Sequence, residues 1–130
     1  MKSLIKYAGK LYTPIAWTVF IIILLCLPGS MLPNEARFPI PQFDKFVHIT
    51  LFGGFVWLWN FYLNRRTLSP RTLLRWFFLI FIAGCALGIG MEFVQKYYIP
   101  RRDFDTEDII ADMIGAGLGY GLSNLYLSNV

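Results

Sequence analysis

This sequence is poor in charge, in histidine and in cysteine, and each shortage excludes something. Only 15% of its 130 residues are charged, against 56% hydrophobic and 18% aromatic. That balance is too apolar for a soluble domain of this size. One histidine and two cysteines argue against zinc, which takes three or four protein ligands rich in nitrogen and sulfur. Cys26 and Cys85 lie in apolar runs, where a thiol is a small apolar filler, and no redox spacing exists. No glycine-rich phosphate loop precedes a soluble helix. The bases occur in short clusters without a soluble binding domain, so nucleic acid is not expected as a partner.

What is present is apolar sequence in long runs. Four stretches approach the roughly 20 residues that a transmembrane helix needs: about Tyr12 to Leu27, Phe46 to Leu63, Trp76 to Tyr97 and Asp108 to Leu127. The first is short, and the last is diluted by Gly115, Gly117, Gly119 and Gly121; three spans is the fallback. The expected fold is an all-α membrane protein, a bundle of four transmembrane helices forming a single domain over residues 1–130. Lys2, Lys6 and Lys10 before an apolar run imitate a signal peptide, but no small-residue cleavage site follows, so this run is read as an uncleaved first span.

Charge asymmetry sets the expected orientation. The N-terminal tail and the second connection (Arg65, Arg66, Arg71, Arg75) hold seven bases and no acid. The positive-inside rule makes both cytoplasmic, and with four spans both termini follow. The predicted location is a membrane, crossed several times. All eight acids then belong to the outer side, six of them in EFVQKYYIPRRDFDTEDIIAD, Glu92 to Asp112.

That outer side is where chemistry is expected. The first connection carries Pro28, Pro33, Pro39 and Pro41 and should cross the bundle mouth as extended, turn-rich chain. In the second span Asp44, Lys45 and His48 share one face by their spacing of three and four. Gly84, Gly88, Glu92 and Gln95 form a stripe on the third span, and Asp108, Asp112, Gly115 and Gly119 another on the fourth. The glycines suit close helix approach. An ionisable residue within a span is a functional candidate by default. The candidates for catalysis are therefore His48, Glu92 and Asp112, and those for binding are Asp44, Lys45, Gln95, Arg102 and Asp108; their proton affinities would be tuned by burial and by Lys45 or Arg102.

Structural readings stand beside these. Asp105 fits an N-cap of the fourth span, with Asp108 at the third helical position and Phe104 stapled onto Ile109. Asp44 fits a cap of the second span. Arg101 and Arg102 fit interfacial anchors.

The residues also resemble a known family. D-K-x-x-H at Asp44, Lys45 and His48, E-x-x-Q at Glu92 and Gln95, R-x(5)-D at Arg102 and Asp108, and then Gly115, Ala116 and Gly119 are similar, in order and spacing, to the VanZ-like family of small bacterial membrane proteins named for teicoplanin resistance. One departure is Asp112, where that family usually has asparagine. The resemblance implies a bacterial cytoplasmic (inner) membrane location, a cell-envelope role and lowered glycopeptide susceptibility.

Two functions fit. One is a noncatalytic protein whose outer pocket binds a phospholipid or lipid-linked headgroup. The other is a membrane enzyme acting on such a headgroup: Lys45 and Arg102 hold a phosphate, His48 and Glu92 move protons, and Asp112 orients them. Membrane lipids are the expected partners, with a lipid-linked cell-wall precursor or a second copy as further candidates. No cofactor is expected; an oxygen-rich magnesium or calcium site at Glu92, Asp108 and Asp112 has no support beyond its chemistry. Transport fits worst, since four short spans offer no second half to rock against.

Overall fold

The computed structural model describes residues 2, 6, 7, 9–28 and 42–127. Within them the chain forms four helices and no strand: α1 Tyr12–Leu25, α2 Phe43–Asn64, α3 Pro70–Tyr98 and α4 Thr106–Tyr126. The proline-rich first connection falls almost entirely on residues 29–41, outside the described residues.

Local chemistry explains the helix ends. Ser69 caps α3 by accepting the Thr72 N–H at 3.2 Å, and Pro70 takes the first helical position, where a missing N–H costs nothing. That start lies six residues before the apolar run suggested. α3 stops at Tyr98 because Ile99 precedes Pro100 and takes an extended conformation. Asp105 caps α4, accepting the Glu107 N–H at 2.9 Å. Asp44 does not cap α2: the cap position is Gln42, with φ 57° and no side-chain cap bond.

α1 runs antiparallel to α2. Trp17 donates its indole N–H to the Leu51 carbonyl at 2.8 Å, and Trp59 donates to Thr18 Oγ1 at 3.0 Å. α2 and α4 run parallel and form the tightest crossing. A Cβ on Gly115 would collide with the Ile49 carbonyl, and one on Gly119 would sit 2.6 Å from the Gly53 carbonyl. Only glycine lets the two backbones approach that closely. α3 packs antiparallel on α4 with Gly88 against Asp112 and Gly84 against Ala116 and Val56.

The bundle has a dry middle and two polar ends. Phe52 and Val56 are fully buried in the α2 seam. Toward one end Asn60 donates to Ser123 Oγ at 3.0 Å, both wholly buried. Gly9 packs against Arg65 and Phe61 at that end, beside the basic α2–α3 connection. The acids among the described residues gather at the opposite end.

α2 and α3 are long and apolar enough to cross a membrane; α1, at 14 residues, is an apolar but shorter helix. The outer faces of the bundle are also apolar. Ile15, Val19 and Ile23 on α1, Phe78, Leu79 and Ile82 on α3, and Met113, Leu118 and Leu125 on α4 are all exposed. So much contiguous apolar surface needs a nonaqueous surrounding.

Candidate functional site

Three helices deliver ionisable side chains to one end of the bundle. α2 brings Asp44, Lys45 and His48 from its first two turns, α4 brings Asp108 and Asp112 from its first two, and α3 brings Glu92 from its last two. Lys45 makes ion pairs with Asp44 Oδ2 at 2.9 Å, with Asp105 Oδ2 at 2.7 Å and with Asp108 Oδ1. Its side chain is 14% exposed.

One turn deeper, His48 Nδ1 lies 2.7 Å from Asp112 Oδ1, and Nε2 lies 3.5 Å from Asp108 Oδ2. His48 is 4% exposed and Asp112 1%. A carboxylate oxygen faces each ring nitrogen, and a neutral imidazole can donate to only one of them. The other Asp112 oxygen, Oδ2, has no hydrogen-bond partner among the described residues; a Cβ on Gly88 would sit 2.7 Å from it. Gly88 is therefore what admits the carboxylate between α3 and α4.

Glu92, 1% exposed, accepts the backbone N–H of Asp105 at 3.0 Å. In a capping box the side chain at the third helical position would reach back to that N–H. Here a carboxylate from α3 does so, and Asp108, at that third position, turns to Lys45 and His48. Asp105 joins the cluster in three ways: Oδ1 caps α4, Oδ2 pairs with Lys45, and its N–H binds Glu92. The Lys45 ammonium holds the Asp105 carboxyl below the usual carboxylate range.

The structure thus brings together His48, Glu92, Asp112, Asp44, Lys45 and Asp108 from among the sequence candidates. Two others lie apart. Gln95 is buried but donates to the Leu25 carbonyl at 2.9 Å, satisfying an orphan at the C-terminus of α1. Arg102 makes no hydrogen bond or ion pair among the described residues, so the charge expected to join the cluster from that position comes from Lys45 alone. Sequence reasoning treated Asp105 as a cap only and missed its pairing with Lys45. A cap uses one carboxylate oxygen, and the second was the available signal. The Phe104 ring packs on Phe93 of α3, with centroids 5.2 Å apart.

Asp44, Asp105 and Asp108 have oxygens close enough to share a metal ion. The Lys45 ammonium already engages all three, so the cation they hold in this structure is their own lysine. Among the described residues five carboxyls surround one lysine and one histidine, an excess of acid. Lys96 lies in the last turn of α3, and Arg101 and Arg102 in the turn that follows it, between Glu92 and Asp105 in the chain.

A family model described as VanZ/LLP1 matches residues 7–127 of the chain. Among curated proteins, an uncharacterized protein of Schizosaccharomyces pombe is 33% identical over 108 residues, which are 82% of this chain and 62% of the relative. The chain therefore spans less than two thirds of that relative's length. No solved structure matches. Because the relative is from fission yeast, these similarities do not restrict the fold to bacteria, and the expected bacterial location and role in glycopeptide resistance draw no support from them. The chain belongs to the VanZ/LLP1 family.

Proposed function

We propose that this VanZ/LLP1-family membrane protein crosses the bilayer four times, with both termini cytoplasmic, and binds a phospholipid headgroup at the acidic end of its bundle. The observation that carries this reading is the convergence of Lys45, His48, Glu92, Asp108 and Asp112 on one buried cluster. Ionisable groups at such depth are expensive unless paired and used.

The balance of charge favours a particular headgroup. Lys45 is saturated by carboxylates, which weighs against its holding a phosphate. An ammonium group suits the acid-rich cluster, while Arg101 and Arg102 of the α3–α4 turn suit a phosphate. A zwitterionic headgroup of the ethanolamine type carries both. Similarity to a yeast protein also favours a ligand common to membranes over a bacterial cell-wall precursor.

Native mass spectrometry of the detergent-solubilised protein, with phosphatidylethanolamine and phosphatidylglycerol in competition, tests this. Preferential retention of the ethanolamine lipid, lost on Asp108→Asn, is expected. Equal retention of both lipids, or preference for the anionic one, would overturn it.

One observation favours a catalytic reading beside binding: buried Asp112 orients His48 through Nδ1, as a general base is oriented in an acid/base pair. Turnover of a radiolabelled phospholipid by reconstituted protein, abolished in His48→Ala, would convert the binding site into an active site.

A further inference from the structure

The end of the bundle opposite the acidic cluster carries charge of one sign. Arg65 and Arg66 close α2, Arg71 and Arg75 open α3, and Lys10 precedes α1; all are exposed. None of them makes an ion pair or a side-chain hydrogen bond among the described residues, and no described acid lies at this end. Like charges gathered in this way repel one another and favour an anion beside them.

Two of these arginines are held in place. The Arg66 guanidinium stacks on the Tyr62 ring one turn back, 4.3 Å from its centroid. Stacking covers one face of the planar group and leaves its N–H donors, which lie in the plane, open at the edge. Arg65 runs along Gly9, where a Cβ would lie 3.2 Å from Arg65 Cγ and 3.4 Å from Nε; glycine keeps its path clear. Adjacent at the end of one helix and each fixed at its stem, the two can close on one phosphate from two sides, at a reduced ordering cost.

The surroundings and the donors together select the anion. Apolar surface begins directly beyond the charges: Leu74, Trp76 and Phe78 on α3 and Tyr126 at the end of α4 are exposed. A ligand here meets cations at its head and hydrocarbon along its length, the pattern of an anionic lipid rather than of a soluble anion. A guanidinium binds two oxygens in parallel. A phosphodiester offers two unesterified oxygens and a single charge, whereas a phosphomonoester offers three oxygens and about 1.5 to 2 negative charges at neutral pH. Two adjacent guanidiniums match the monoester.

We infer that the α2–α3 connection is a site for a phosphomonoester lipid, of the phosphatidic acid type. Arg65 and Arg66 engage its phosphate, and Arg71 and Arg75 on α3 add longer-range attraction. The inference requires a bilayer around the bundle; it holds in either orientation and is independent of the headgroup proposed at the acidic end.

The test is native mass spectrometry of the whole detergent-solubilised protein with phosphatidic acid and phosphatidylglycerol in competition. Both lipids are anionic, so general attraction to a basic surface separates them little, whereas a phosphomonoester site favours the first. Retention of phosphatidic acid should exceed that of phosphatidylglycerol by roughly tenfold, the worth of one charge-assisted hydrogen bond. Arg65→Gln combined with Arg66→Gln should abolish the difference; both positions are exposed, and circular dichroism checks that the helices are kept. Tyr62→Leu retains every charge but removes the ring beneath Arg66, and should lower the preference by about threefold. Equal retention of the two anionic lipids by the wild type would reduce the connection to an unselective basic surface and overturn the site. So would an unchanged preference in either variant. Binding of glycerol 3-phosphate as tight as that of the lipid would also overturn it, making the ligand a soluble phosphate ester. Preference for ethanolamine at the acidic end should survive in the arginine variant; its absence from the wild type, with phosphatidic acid selectivity intact, would sink the headgroup reading and sustain this site.

Discussion

Glu92, on the last two turns of α3, accepts the backbone N–H of Asp105 at 3.0 Å, so a buried side chain of one helix completes the N-terminus of the next. Two consequences follow. The turn between the helices is held down at the point where Arg101, with φ 58°, bends the chain. Asp108 is also left free to meet Lys45 and His48. Glutamine keeps an acceptor for that N–H, so Glu92→Gln is expected to fold with little change in thermal stability. Alanine leaves the N–H without its acceptor, at about 1–3 kcal/mol. Melting in detergent separates the two variants; equal melting would show that the bond does not hold α4.

The glycine crossing gives an internal control. Gly115→Ala drives a Cβ into the Ile49 carbonyl, whereas Gly121→Ala meets nothing within 4 Å. The first should lose about 1–3 kcal/mol, because backbone cannot rotate out of the way as a side chain can. The second should be neutral or slightly stabilising through helix propensity. Comparable melting temperatures for both would mean that α2 and α4 do not cross at glycine.

Much of this arrangement was legible in the sequence, but only where helical spacing carried it. Asp44, Lys45 and His48 were placed on one face by their spacing, as were Asp108 and Asp112, and they meet. Spacing also put Gln95 beside Glu92, yet one turn farther along α3 the neighbour is the C-terminus of α1, and the Leu25 carbonyl claims the amide. A stripe fixes a direction around a helix and says nothing about which partner waits at each height. Arg102 was joined to Asp108 by a spacing that runs through a turn, where residue counts give no facing. The pair Asn60 and Ser123 escaped notice because each is a lone polar residue in apolar sequence, and only the parallel α2–α4 register brings them together.

Orientation is testable at two positions on opposite ends of the bundle. Thr67 lies in the basic α2–α3 connection and Asp103 in the α3–α4 turn beside the acidic cluster. With Thr67→Cys and Asp103→Cys in a background free of other cysteines, an impermeant maleimide added to intact cells should label only position 103. Labelling at 67 would invert the topology and place the acidic cluster on the cytoplasmic side.

Acid should loosen the site through Asp105. Its folded-state pKa is depressed by Lys45, so the unfolded chain binds the proton more tightly, and stability rises with pH across the interval between the two values. The contribution is complete above the unfolded value of about 3.9 and is lost as pH falls through the lower folded value. Asp105→Asn should therefore be less stable than the parent at neutral pH and show a flatter decline in melting temperature below about pH 4. Parallel pH profiles would indicate that the Lys45 contact does not persist in solution.

His48 and Asp112 make the sharpest case, because the two single substitutions act in opposite directions on one buried charge. Asp112→Asn keeps an oxygen that accepts from His48 Nδ1 and replaces Oδ2, which has no partner among the described residues, by an amide nitrogen of nearly the same size. Its expected effect is small, within about 1 kcal/mol, since removing a buried charge offsets the weaker hydrogen bond. His48→Ala instead strands the Asp112 carboxylate without its principal partner, at about 3–5 kcal/mol. The double variant should recover most of that loss, because no charge remains to be stranded, and the coupling should appear as clear nonadditivity in a double-mutant cycle. Headgroup retention separates structure from function in the same set: Asp112→Asn should retain lipid, and the double variant should be stable yet lose it. Additive stability effects would mean that the 2.7 Å pair carries no coupling, and full lipid retention in the stable double variant would remove His48 from the binding site.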